Sequence, residues 1–281
     1  MKIHHLNCGT LCPYGGRLVS GEGGLGAARI VCHCLLIEAG SSLVLIDTGF
    51  GVEDSAHPYR QLGPPFVLGM QAKPRLAETA IEQIRGLGLD PADVRDIGAT
   101  HLDPDHTGGL PDFPDADVHV FRAERDAVLK PTLRERPRYP RSHIAHGPKW
   151  VAHDGGGDKW FGFESVRVME GVEAEVALIP LPGHTRGHCA IAIREGDGWL
   201  LHCGDAYFHR NEVAAHPGCP PALRLFQAAT AIDNGARRGN RDRLQELAQS
   251  HGDEIRLFCS HDEVELEREQ SGTSAARGAL P

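Results

Sequence analysis

Residues 94–109 read VRDIGATHLDPDHTGG, and the fold follows from what this stretch asks of the chain around it. Val94 to Thr100 is a short apolar run of strand character that delivers the chain to His101. If the backbone stays extended, His101, Asp103 and Asp105 point to one face by period-two alternation. His106 then opens a helix, and Thr107-Gly108-Gly109 lets another backbone approach closely. Three acidic or imidazole groups crowded onto one face at a strand end need a counter-charge.

Working outward, the same arrangement recurs. Val31 to Gly49 (VCHCLLIEAGSSLVLIDTG) reads as two apolar runs split by a turn, a hairpin that ends at Asp47-Thr48-Gly49. Leu76 to Leu87 has helical spacing closed by Gly86 and Gly88, with a short second helix start at Pro91. Asp117 to Phe121 is a further strand. Residues 122–170 carry much of the proline and aromatic content and read as a helical or loop insertion over one end of the sheet. Val176 to Leu181, His188 to Arg194 and Trp199 to Cys203 are strand-like, Leu223 to Ala231 and Arg241 to Ala248 helical. Ile255 to Cys259 is a last strand, leading to Ser260-His261-Asp262. The tail 265–281 reads as flexible. Strands alternating with helices predict an α/β protein, here one domain over residues 1–281 with insertions near 122–170 and 207–240. Asp47, the 101–106 cluster, His184, Asp205 and His261 each follow a strand-like run. Imidazoles and carboxylates drawn from separate loops are what a Zn, Fe or Mn site requires.

Composition narrows the function. The chain has 281 residues, 17 histidines and a net charge of -9, which argues against nucleic acid, whose phosphates demand a clustered basic surface. Arg134 to Arg141 (RERPRYPR) is the densest basic run and reads as a Pro-broken, solvated surface loop. No run of 18 apolar residues suggests a membrane span, and the start MKIHHLNCGTLCP lacks secretory order. A cytoplasmic location is therefore expected, with the eight cysteines as reduced, packed thiols. Cys32 and Cys34 flank His33 on one strand and are read as core residues. Outside the strand-end positions the histidines are treated as surface or core residues. His188, His202 and His209 stay open as structural groups or substrate contacts.

The order D-T-G, then H-x-[D]-x-D-H, then G-H, then G-D, then a final H, carried by Asp47, His101 to His106, His184, Asp205 and His261, resembles the metallo-β-lactamase-fold hydrolase superfamily, in its lactonase-like branch. The resemblance implies a four-layer αββα sandwich of two mixed β-sheets flanked by helices, with the metal site at one sheet edge. It implies two divalent metal ions, zinc foremost with iron or manganese as alternatives. His101 and His184 would serve a first ion, Asp105, His106 and His261 a second, and Asp205 would bridge them. Asp47 would orient the ligand loop from behind. Asp103 stands where the family has its second histidine. As a ligand it would make the first site harder and more anionic; falling short of the ion, it would leave one metal in the second site. Lactonases of the superfamily place a tyrosine one position after Tyr207, so Tyr207 is read either as a donor to a developing oxyanion or as a ring packed over the site.

The expected function is a metal-dependent hydrolase that cleaves a small lactone or other carboxylic ester by a metal-bound hydroxide, with Asp105 as the proton shuttle. Its partners are a small-molecule substrate and, by default for an enzyme of this size, a second copy in a homodimer. The alternatives are a mononuclear iron-dependent oxygenase or thioesterase on the same fold, and an inactive metal-binding protein. Phe66, Phe161, Phe163 and Phe208 hint at an apolar pocket.

Overall fold

A computed structural model describes residues 1–169 and 173–272. Six strands form the first sheet in chain order: β1 (Lys2–Leu11), β2 (Ile30–Ala39), β3 (Ser42–Ile46), β4 (Val94–Gly98), β5 (Asp117–Phe121) and β6 (Lys149–His153). The first three pair antiparallel, and β3 through β6 pair parallel. The strands β7 (Lys159–Trp160) and β8 (Phe163–Glu164) make a small hairpin. The second sheet holds β9 (Val166–Val168), β10 (Val176–Pro180), β11 (Cys189–Glu195), β12 (Gly198–His202) and β13 (Ile255–Phe258), in the order β13-β12-β11-β10-β9.

Alternation along the strands produces the layers. In β2, Leu35 and Ile37 face inward and pack with Leu178, Ile191, Ile193, Leu200 and Phe258 of the second sheet. Cys34 and Leu36 face outward, against Ile84 of the helix Ala80–Gly86 and Val128 of the helix Arg122–Leu129. On the other side Ala177, Ile179 and Leu201 pack under Leu244 and Leu247 of the helix Asn234–Ser250. A sheet must bury both of its apolar faces, and this succession of helix, sheet, sheet and helix does so. The result is the αββα sandwich expected from the sequence.

Two sequence expectations change. Residues 122–148 are helix, short helical turns and loop, but the following residues are strands of the sheets themselves: β6 extends the first sheet beyond β5, and β9 edges the second; residue 170 lies outside the described residues. The tail is not loose from residue 265, because Glu263–Gln270 is a helix that buries Glu265 and Leu266, capped by Asp262; residues 273–281 lie outside the described residues. The sequence reading assigned no element to 2–11, which form β1. The eight cysteines are free and six are buried; Cys32 and Cys34 share one face of β2 and pack into separate core clusters. Among the described residues no helix is long and apolar enough to cross a membrane.

Strand direction positions the site. β3 and β4 run parallel in the first sheet. In the second, β12 and β13 are parallel, and β10 is antiparallel to β11, which is antiparallel to β12. The C-terminal ends of β10, β12 and β13 therefore lie on one edge. Asp47, His101, His184, Asp205 and His261 all follow such ends.

Candidate metal centre

Asp47 is the anchor of the site. It is fully buried with φ 53°, a left-handed conformation that Asp tolerates better than most residues. Its Oδ1 accepts from the Thr100 backbone N–H at 2.8 Å, and its Oδ2 accepts from Thr100 Oγ1 at 2.7 Å and from His106 Nδ1 at 2.9 Å. Burial opposes its charge, but the bond from His106 prevails and holds its carboxyl below the ordinary range. Thr48 donates through N and Oγ1 to the His106 carbonyl, at 2.8 and 3.1 Å. Gly109 packs so tightly on Thr48 that a Cβ there would lie 3.0 Å from Thr48 Cβ and O. This close approach is the reason for Gly109, whereas a Cβ at Gly108 would run into the Asp54 carboxylate. The extended run ends earlier than expected, since Pro104–Thr107 is already a helical turn; Asp105 reaches the site from its first turn.

The bond to Asp47 uses His106 Nδ1–H, which leaves His106 Nε2 as the free lone pair, 3.3 Å from Asp205 Oδ1. His261 is oriented likewise: Nδ1–H donates to the Val31 carbonyl at 2.8 Å and Nε2 lies 3.2 Å from Asp205 Oδ1. His184 Nε2 is 3.3 Å and His101 Nε2 3.8 Å from Asp205 Oδ2. Four imidazoles thus converge on one carboxylate. Burial would raise the Asp205 carboxyl, yet the imidazoles of His261, His106, His101 and His184 hold it well below the usual range. Burial pulls His184 down to about 4.

Two triples have ligand atoms within 4.8 Å of one another, His101-His184-Asp205 and His106-Asp205-His261. Asp205 belongs to both. His101 Nε2, His106 Nε2 and Asp205 Oδ1 are buried without a hydrogen-bond partner, a costly arrangement for polar atoms unless a cation completes it. The donor set of imidazole and carboxylate suits zinc, iron or manganese. Asp105 lies beside the second triple, its Oδ2 3.7 Å from His261 Nε2. It also forms a third cluster with His261 and Cys32. The CHC triplet was the sequence signal for Cys32, whose thiol burial and the facing Asp105 keep protonated.

Other candidates resolve differently. Asp103 reaches the site, with Oδ2 3.0 Å from His184 Nε2 and 3.4 Å from His101 Nε2, but Arg138 forks its carboxylate. The Arg134–Arg141 run is therefore only in part a solvated loop: Arg136, Pro137 and Arg141 are exposed, but Arg138 is largely buried against Asp103, and Arg134 donates to the Ala229, Ala231 and Ile232 carbonyls. Tyr207 does not face the site. Its ring belongs to the core under the helix Asn234–Ser250, and its hydroxyl donates to Glu265 at 3.1 Å, so the oxyanion-donor reading is corrected. His188 is structural: Nδ1–H donates to the Leu181 carbonyl and Nε2 accepts from the Asp205 N–H at 2.8 Å, with Gly204 (φ 54°) pressed against it. His202 donates to the His33 carbonyl within the core, and His209 to the Ser20 carbonyl. Glu124 had no sequence signal. It is fully buried and accepts from the N–H of Leu102 and of Gly187, tying the His101 loop to the His184 loop.

Above the centre opens a cavity of about 290 Å³ whose floor includes Asp105, His184, Asp205 and His261. Leu11, Ile30, Phe66, Met70, Phe208 and Phe226 supply apolar walls. Phe161 and Phe163 lie elsewhere, around Trp160.

The sequence model of the Metallo-beta-lactamase superfamily matches residues 28–261. A probable metallo-hydrolase of Mycobacterium tuberculosis is 41% identical over 269 residues, 93% of this chain and 80% of that protein. The N-acyl homoserine lactonase AttM of Agrobacterium fabrum is 26% identical, over 69% of this chain and 71% of that one. A solved N-acyl homoserine lactone hydrolase, with the product N-hexanoyl-L-homoserine bound at its catalytic metal center, superposes with TM-score 0.69 at 22% identity, covering 96% of this chain and 95% of that chain. With the ordered strand-end residues, the two-sheet sandwich and a family match over most of its length, the chain belongs to the metallo-beta-lactamase superfamily.

Proposed function

We propose that this chain, a metallo-hydrolase of the metallo-beta-lactamase superfamily, cleaves a small lactone or other carboxylic ester at a centre of two divalent cations, zinc in preference to iron or manganese. The observation that carries the reading is the set of orphaned, buried atoms His101 Nε2, His106 Nε2 and Asp205 Oδ1 beneath an apolar cavity. His101 and His184 would hold one cation, His106, His261 and Asp105 the other, with Asp205 shared between them. When bound, the cations supply water activation near neutral pH and polarisation of a carbonyl oxygen.

The protein's own residues do the rest. Asp47 fixes the His106 tautomer, Val31 that of His261, and the His188–Asp205 backbone bond sets the bridging carboxylate. Asp105, on the cavity floor, accepts the proton of the attacking water and returns it to the leaving alkoxide. The apolar walls take the acyl or ring carbons and exclude bulk water, which strengthens every charge interaction on the floor. The lactonase relatives favour a lactone within this class.

The experiment is hydrolysis of a panel of lactones, aryl esters and thioesters by zinc-loaded protein, followed by proton release. The expected result is turnover of at least one lactone or ester, abolished in His106→Ala. No turnover of any panel member by metal-replete protein would leave a metal-binding protein without this activity. One bound iron per chain in place of two zinc ions would point to the oxygenase alternative.

A further inference from the structure

The Asp103 carboxylate is engaged before any cation arrives. Arg138 Nε donates to Oδ1 at 2.8 Å, and its Nη2 donates to Oδ2. The guanidinium is itself fixed, because Nη1 donates to the Thr230 carbonyl at 2.5 Å, in the last turn of the helix Pro221–Thr230. Nη2 also lies 2.8 Å from His184 Nε2. Both partners are mostly buried, with side chains 13% and 12% exposed. A two-pronged Arg–carboxylate pair is the strongest geometry such a pair adopts, and burial makes its separation expensive.

We propose that Asp103 is the counter-ion of Arg138 and not a metal ligand, so that the first site is held by His101, His184 and Asp205 alone, with Arg138 as a positioning residue that sets a built-in cation at its open side. The inference rests on the two-cation reading above. Three observations carry it. Both oxygens of Asp103 are used by one guanidinium. The guanidinium cannot swing away without losing the Thr230 carbonyl. Although Asp103 Oδ2 lies 3.0 Å from His184 Nε2 and 3.4 Å from His101 Nε2, the Nη2 that holds it is itself 2.8 Å from His184 Nε2, so the positive charge stands at the edge of the first site. The arrangement makes the two sites unequal: the second keeps Asp105 as an anionic donor, whereas the first has its extra carboxylate neutralised in advance. The first cation therefore binds more weakly and exchanges first. Arg138 also lines the cavity above the centre, so its charge faces an entering carbonyl or carboxylate at the first site.

The test is stepwise zinc binding to the full chain by competition with a chromophoric chelator, with the visible spectrum of cobalt-loaded protein as a second readout. Wild type, Arg138→Met, the double variant Asp103→Asn/Arg138→Met, and His184→Ala as a ligand-loss control are compared, with circular dichroism to confirm folding. Expected are two unequal steps in wild type and a first-site affinity at least tenfold higher in Arg138→Met, where Asp103 is freed to ligate. The double variant, whose pair is neutral on both sides, should bind within about threefold of wild type and keep its cobalt spectrum. A double variant that loses first-site zinc as His184→Ala does, or changes its cobalt spectrum, would show Asp103 to be a ligand and overturn the inference while leaving the two-cation reading intact. Absence of zinc from both sites of wild type would overturn the reading and the inference together. If Arg138→Met does not fold, the charge-neutral double variant decides alone.

Discussion

Substituting Asp47 by Asn tests how the second site is built. Asn keeps the volume and tolerates the left-handed φ of 53°, so the turn survives, but the amide cannot replace the carboxylate. Asp47 accepts three hydrogen bonds, from Thr100 N, Thr100 Oγ1 and His106 Nδ1. If the amide oxygen serves Thr100 N, the amide NH2 faces His106 Nδ1 and drives the ring to the tautomer whose Nε2 carries the hydrogen. That nitrogen then has no lone pair for a cation. If the amide flips, its NH2 opposes the Thr100 N–H and leaves a buried donor unpaired, costing about 1–3 kcal/mol. Loss of the group behind a ligating histidine typically weakens metal affinity about 10–100-fold, or roughly 1.4–2.8 kcal/mol. Zinc competition and thermal unfolding of the metal-free protein separate the two terms. Zinc affinity within a factor of about two of wild type, with unchanged unfolding, would refute the account of how His106 is oriented.

The remaining predictions concern other groups. Tyr207→Phe should keep kcat within about twofold while lowering stability by about 1 kcal/mol, since its hydroxyl serves Glu265 and not the cavity; steady-state kinetics and denaturant unfolding check both halves. Burial, with the Asp262 charge beside it, raises the Glu265 carboxyl to about 8 from an ordinary 4.5. The folded state then holds a proton that the unfolded chain releases above pH 4.5, so this contribution is full below that pH and is lost as pH rises through about 8. Glu265→Gln should flatten the fall of stability across that window, and an unchanged pH profile of unfolding would speak against a protonated Glu265. Glu124→Ala leaves the Leu102 and Gly187 N–H groups without their acceptor, a loss of roughly 2–6 kcal/mol at about 1–3 each, read by chemical unfolding; a loss under 1 kcal/mol would mean that water replaces it. Chelator treatment of zinc-loaded protein removes about 4 kcal/mol if zinc stands at a thousand times its Kd, a drop of roughly 8–16 °C in Tm; scanning calorimetry measures it.

How far the fold could be read depended on burial. The central strands β2, β3, β10, β11 and β12 are apolar on both faces and stood out as runs, as did the turn residues after them. β6, KWVAH, is mostly half-buried, so its pattern resembles a loop, and β1 carries His4, His5 and Asn7 among its apolar residues. The strand-end histidines and aspartates were legible because their spacing is set by the chain's own turns. Arg138 and Glu124 were not, since each acts on a group 35 or 22 residues away, and nothing local marks a charge as bound inward. A Pro-broken arginine run looks alike whether water or Asp103 receives it. Tyr207 was misjudged because it was placed by distance along the chain from Asp205, whereas the backbone after Asp205 turns its ring into the core.

The most direct test of the central claim is anomalous diffraction at the zinc edge from crystals of the zinc-loaded protein. Two peaks should flank Asp205, one within bonding distance of His101 and His184 and the other of His106 and His261. No peak beside Asp205, or zinc found only at other histidines, would contradict the account.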